Sequence, residues 1–281
     1  MSRKGKYDDY YVARYSPGTR IGHWQEEYLI SLELHKSIAT QLRKNQTFYQ
    51  ENFRKLRKEV ESITITASRP RVYNGDLIYI LNPHVEIPID DSNEERAPPG
   101  ITLSLIYTPE VYELTGQVIP GISLGGTTHP IPTLRNTFRI CKLGESEDSK
   151  SLIFYGDDIT FCPLDTYLNT KLYLEGRPTN PLSVTTSRAC KEQIRVSLGY
   201  NQYCRWKIQN VDIHNRKKSV PVPANADVII QHASTHHTLC ALENWTNMMF
   251  YKECDVTIER RENIFLRAQP SNVWQICNTV Q

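Results

Sequence analysis

The residues best suited to hold a metal are His232, His236 and Cys240, spaced four apart with His237 beside them. On a helix they would share a face and could ligate zinc. The preceding Val228-Ile-Ile230 run reads as a strand, however, where a spacing of four separates ligands by roughly 13 Å, too far for one ion without a turn. The adjacent carboxylates Asp90-Asp91 and Asp157-Asp158 would point to opposite faces of a strand and so make no acid/base pair. Gly121-Ile-Ser-Leu-Gly125-Gly126 lacks the Gly-Lys-Ser/Thr ending of a phosphate loop. Any Cys can be paired with any His on paper, which carries no information. The expectation is a protein with no catalytic residues, cofactor or metal.

Composition narrows the class further. The 281 residues carry 33 Lys and Arg against 31 Asp and Glu, a formal net charge of +2. That balance cannot supply the positive field that dominates nucleic-acid binding. No run approaches the roughly 18 apolar residues of a membrane-spanning helix, and the N-terminus has no apolar signal core, so neither membrane insertion nor export is expected. The seven cysteines, odd in number and never spaced Cys-x-x-Cys, read as reduced thiols of a cytosolic protein.

Three segments follow along the chain. Residues 1–25 read as an extended arm in which turn residues alternate with aromatics. Within it Pro17, Gly18, Arg20, Ile21, Gly22 and Trp24 are candidates for partner binding, although Trp24 could equally fold back onto the body. Residues 26–62 read as an amphipathic helix with a possible break near Asn45, since Leu34, Ile38, Leu42, Tyr49, Phe53, Leu56 and Val60 recur three, four or seven residues apart. Its polar face would carry Arg43, Lys44, Arg54, Lys55, Arg57 and Lys58, a basic strip that is either solvated or docked on an acidic protein surface. Residues 63–281 change to short runs of Val, Ile, Thr, Tyr and Phe cut by Gly, Pro, Asn and Asp, and therefore read as mainly β.

The β part repeats. Phe138-Arg-Ile140, Trp206-Lys-Ile208 and Trp274-Gln-Ile276 each stand 68 residues from the next. Each follows, at a distance, an Asp opening an apolar run, at Asp76, Asp157 and Asp227, where an aspartate suits a turn. Aromatic and Ile two residues apart share one strand face. Three such units predict a β-trefoil-like domain over 63–281, with residues around 84–132 as a long insertion in the first unit.

Several stretches, taken in order, resemble the cilia- and flagella-associated protein 161 family. They are Ser16-Pro-Gly-Thr-Arg20-Ile-Gly-His-Trp24, Gly75-Asp-Leu-Ile-Tyr-Ile-Leu-Asn-Pro83, Arg135-Asn-Thr-Phe138, Tyr155-Gly156 and Val220-Pro-Val-Pro-Ala-Asn-Ala226. At Tyr251 the chain departs from the family, which carries Gly there, a difference bearing on the local hairpin turn. The resemblance implies a non-enzymatic structural protein of the ciliary axoneme. It would be a microtubule inner protein on the luminal wall of doublet microtubules, with α- and β-tubulin and other inner proteins as partners, and with neither nucleic acid nor membrane. A cytosolic β-trefoil module that binds carbohydrate or protein is the alternative.

Overall fold

A computed structural model of the chain describes residues 21–43, 61–65, 69–88, 100–106, 120–164, 170–178, 192–212, 216, 220–247, 251–259 and 268–278. The chain divides into two compact units, residues 1–54 and 55–281.

In the first unit, helix α1 runs Ile21–Arg43. The extended arm expected over 1–25 is therefore corrected at its end, because Ile21 to Gln25 already lie in the helix. Gly22 costs a helix only about 1 kcal/mol relative to Ala, and the residues from His23 to Arg43 contain no further Gly or Pro to oppose propagation. The helix expected to reach residue 62 is corrected at its other end. Glu61 and Ser62 are not helical; Ser62 bridges Thr133 and the Ile63 N–H donates to Pro132 O at 2.8 Å, so this segment belongs to the body. Residues 44–60 lie outside the described residues.

The second unit is mainly β, as expected. Its strands are β1 Leu77–Asn82, β2 Ile101–Leu105, β3 Leu124–Thr127, β4 Thr137–Lys142, β5 Asp158–Pro163 and β6 Tyr173–Pro178. There follow β7 Glu192–Ser197, β8 Trp206–Asn210, β9 Asp227–His232, β10 Thr238–Asn247, β11 Lys252–Glu259 and β12 Trp274–Cys277. Six of them pair antiparallel in a closed circuit, β1 with β4, β4 with β5, β5 with β8, β8 with β9, β9 with β12, and β12 with β1. Closure leaves these six strands no open edge. The other six form three hairpins, β2–β3, β6–β7 and β10–β11, and β11 also pairs with β3 and β7.

The 68-residue spacing has a structural counterpart. Phe138, Trp206 and Trp274 lie opposite Ile78, Ile159 and Val228, and all six side chains are buried. Both indoles donate from Nε1 to the second residue of a hairpin strand at 3.0 Å, Trp206 to Leu174 O and Trp274 to Leu239 O. Ile140, Ile208 and Ile276 each accept through their carbonyls from a left-handed turn residue, namely Gly75 (2.8 Å), Gly156 (2.9 Å) and Asn225 (2.9 Å). A cyclic set of hydrogen bonds then ties the three turns together: Val72 N–H to Val222 O, Val222 N–H to Ile153 O, and Ile153 N–H to Val72 O.

These correspondences correct two expectations. Because Asn225 takes the place of Gly75 and Gly156, the position matching Asp76 and Asp157 is Ala226, and Asp227 is one residue late. Accordingly, Asp76 and Asp157 each accept the N–H three residues before them, of Tyr73 and Phe154, at 3.0 Å, whereas Asp227 accepts from Gln275 at 2.9 Å. The stretch around 84–132 is not simply an insertion either, since it supplies β2 and β3, with Thr102 opposite Thr127 and Leu105 opposite Leu124. Gly125 and Gly126, which suggested a loop, lie in β3 where a Cβ would meet Ile106, Ile101 and Cys254 at 2.5 to 2.8 Å, so small residues are required by packing. The hairpin after β10 forms with Tyr251 in place, Asn247 pairing with Lys252.

Candidate partner-binding surfaces

On α1, Ile30, Leu34 and Ile38 follow one another at intervals of four and so line one face, and all are exposed, as are Tyr28 and Leu29. Polar neighbours are engaged locally: Thr40 donates to Lys36 O at 2.8 Å and His35 Nδ1 to Ser31 O at 2.6 Å. What remains available on the helix is an apolar ridge, the usual mark of a surface awaiting a partner. Of the residues the sequence singled out, Ile21, Gly22 and Trp24 stand in the first turn and Arg43 closes the last, exposed. Pro17, Gly18, Arg20, Lys44, Arg54, Lys55, Arg57 and Lys58 lie outside the described residues. The described helix itself carries Glu26, Glu27 and Glu33 against Lys36 and Arg43, so the predicted basic strip is not a property of this segment.

In the body, the Arg135-Asn-Thr-Phe138 stretch builds a buried polar joint. Arg135 donates from Nε to Ser104 Oγ at 2.7 Å and pairs through Nη2 with Glu253 Oε1 of β11, both side chains being under one-tenth exposed. Asn136 Oδ1 accepts from the Thr133 N–H at 2.6 Å, closing the turn into β4. Beside them His129 packs edge-on to Tyr251, centroids 4.3 Å apart, and its Nδ1 accepts from the Ile131 N–H at 3.1 Å. Burial, then the Arg135 charge, pushes the His129 pKa below the usual histidine value.

His232, His236 and Cys240 are separated by the β9–β10 turn. His232 is buried, with ring nitrogens 2.9 Å from Thr235 Oγ1 and 3.0 Å from Tyr203 O; His236 sits left-handed in the turn; Cys240 is buried on β10. Among the described residues no group of three His, Cys, Asp or Glu could hold a metal ion. Nor is any described helix long and apolar enough to cross a membrane. A polar cavity of about 460 Å³ opens beside that turn, lined by Gln209, Gln231, Arg216, His236 and His237 among others. Asp157 and Asp158 diverge as expected, Asp157 to Lys142 at 3.1 Å and Asp158 to Arg205 at 2.7 Å.

Among the thiols, which the sequence presents only as reduced, one group stands out. Cys141 on β4 and Cys162 on β5 alternate with the inward Ile140 and Phe161, so both point to the outer face of the strand pair. Lys171 Nζ lies 3.5 Å from Cys141 Sγ and also pairs with Glu147. The missed signal is strand alternation, legible once Phe138 and Ile140 are placed inside.

Residues 165–279 match the family described as the Cilia- and flagella-associated protein 161-like domain. Over more than nine-tenths of its length the chain is also similar to proteins named Cilia- and flagella-associated protein 161. The zebrafish protein (Danio rerio) is 22% identical over 276 residues, covering 94% of this chain and 88% of its own. The cattle protein (Bos taurus) is 24% identical over 270 residues, covering 93% and 81%, and the mouse protein (Mus musculus) 24% over 273 residues, covering 93% and 87%. Among solved structures, an SDF2-like protein from Arabidopsis thaliana superposes with a TM-score of 0.45 at 11% identity, over 74% of this chain and 94% of that one. The stretches behind the resemblance that fall on described body residues build its joints: the Gly75 and Gly156 turns, the Arg135–Glu253 pair, and the Val222 and Asn225 hydrogen bonds.

Proposed function

We propose that this protein is a non-enzymatic structural component of cilia or flagella, a microtubule inner protein on the luminal wall of axonemal doublet microtubules. Its partners are α- and β-tubulin and neighbouring inner proteins. The observation that carries this reading is the similarity to proteins named Cilia- and flagella-associated protein 161 over more than nine-tenths of the chain. The body is read as a β-trefoil, supported by six strands in a closed circuit, three hairpins and the matched contacts at Ile140, Ile208 and Ile276. On α1 a ridge of Ile30, Leu34 and Ile38 is offered to a second protein. Repetition along a polymer multiplies modest contacts by effective concentration. Cryo-electron microscopy of native doublets tests it: luminal density that fits the body at a regular axial repeat is expected, and its absence from doublets whose cilia contain the protein would refute the placement.

One observation favours a second reading, a carbohydrate-binding module. The cavity beside the β9–β10 turn is rich in amide, guanidinium and imidazole groups able to hydrogen-bond hydroxyls. Among the described residues its lining offers no indole or phenol as a stacking floor, so the first reading stands ahead. Saturable, sugar-competed binding on a glycan array would reverse that order.

A further inference from the structure

Cys141 and Cys162 sit diagonally across antiparallel β4 and β5. Cys141 faces Thr160 while Cys162 faces Arg139, so both thiols emerge on one side of the joint between the first and second repeats. On that side the Lys171 ammonium touches the Cys141 sulfur at 3.5 Å. Cys141 is itself buried, and the Lys171 side chain that touches it is 34% exposed. We propose that Cys141 is a peroxide-reactive site and Cys162 its resolving thiol, so that a hydroperoxide converts the pair to a disulfide stapling β4 to β5.

Several features converge on that assignment. The hydrogen bond from Cys162, then the Lys171 charge, holds the Cys141 thiol down to about 6 against the opposing effect of burial. The same contact, with burial, pushes the Cys162 thiol up and keeps it protonated. A thiolate beside a cation, with a neutral thiol on the neighbouring strand, is the arrangement that redox-active pairs need. Burial instead pushes Cys204 and Cys277 up to about 11 and Cys254 up to about 12. At pH 7 the lowered Cys141 thiol is the more ionised, and the thiolate rather than the thiol is the nucleophile toward a peroxide.

In the first step the Cys141 thiolate attacks one peroxide oxygen. An S–O bond forms, the O–O bond breaks, and the departing hydroxide takes a proton from solvent, so sulfur is oxidised by two electrons and the peroxide is reduced to water. In the second, the Cys162 sulfur attacks the Cys141 sulfenic acid. The S–S bond forms, the S–O bond breaks, and hydroxide leaves with the Cys162 proton as a second water. The two sulfurs, on diagonal positions of one face, close to a bond of about 2.05 Å.

The experiment treats the full chain at pH 7 with substoichiometric hydrogen peroxide, then maps disulfides by non-reducing peptide mass spectrometry and sulfenic acid with dimedone. A Cys141–Cys162 linkage is expected ahead of any oxidation at Cys204, Cys254 or Cys277 by roughly tenfold or more. Cys162→Ser should leave a dimedone adduct on Cys141, and Lys171→Met should slow the reaction with circular dichroism unchanged. First oxidation at another cysteine of the wild-type chain, or a Cys162→Ser protein whose Cys141 stays reduced, would overturn the proposal.

Discussion

Glu253→Gln tests the buried joint between β11 and the turn into β4. The substitution keeps side-chain volume and an acceptor for Arg135 Nη2 but removes the negative charge, leaving a guanidinium that is under one-tenth exposed with Ser104 Oγ as a neutral partner. Replacing a charge-assisted hydrogen bond by a neutral one costs about 1–1.5 kcal/mol, and a buried cation without its counterion adds to that, so a total of about 2–3 kcal/mol is expected. For a body of this size, each kcal/mol lowers the melting midpoint by roughly 2–4 °C, which gives a fall of about 4–12 °C. Removing both charges with Arg135→Met and Glu253→Leu should cost less than the sum of the two single changes by at least about 2 kcal/mol, because each single change strands a charge that the double change does not. Urea unfolding followed by the fluorescence of Trp206 and Trp274, both buried, reads these differences with the denaturant slope as a check on two-state behaviour. A Glu253→Gln midpoint within about 0.5 kcal/mol of wild type, or additive single changes, would refute the assignment of the pair as a desolvated ion pair.

Three further outcomes are expected. The His129 pKa is depressed in the folded protein, so its contribution is intact above the unfolded histidine value of about 6.5 and is lost as pH falls below it. Thermal melts between pH 7.5 and 5 should show wild type losing more stability than His129→Gln. Gly156→Ala should cost about 1–2 kcal/mol from its left-handed backbone alone, a Cβ there meeting nothing, whereas Gly75→Ala places a Cβ 2.5 Å from Glu147 O and should cost clearly more by the same urea measurement. Leu34→Glu with Ile38→Glu should leave the melting of the body unchanged but release the protein from detergent-extracted axonemes; full retention would remove the helix ridge from the proposed binding surface.

How much was legible follows from what each signal encodes. The 68-residue spacing located β4, β8 and β12 because an inward aromatic and an inward Ile two residues on are demanded by strand alternation, whatever the rest of the chain does. The Asp repeat misled by one residue in its third instance. A left-handed position accepts Gly or Asn, and only the hydrogen bond from Asn225 to Ile276 O reveals that Asn225, two places before Asp227, takes the role Gly75 and Gly156 take one place before theirs. β2 and β3 escaped notice because Gly125 and Gly126 read as loop, while their need for small residues comes from Ile101, Ile106 and Cys254.

The sequence by itself determined a mainly β body, its three-part repeat and its likeness to a ciliary family, since these rest on local periodicity and on the order of short motifs. Tertiary structure alone decided which strand closes on which, that Arg135 meets Glu253 across 118 residues, and that Cys141 meets Cys162 and Lys171. The reason is physical: a side chain's charge state and reactivity depend on neighbours brought near by folding and on the water excluded there, neither of which is written in its own stretch of chain.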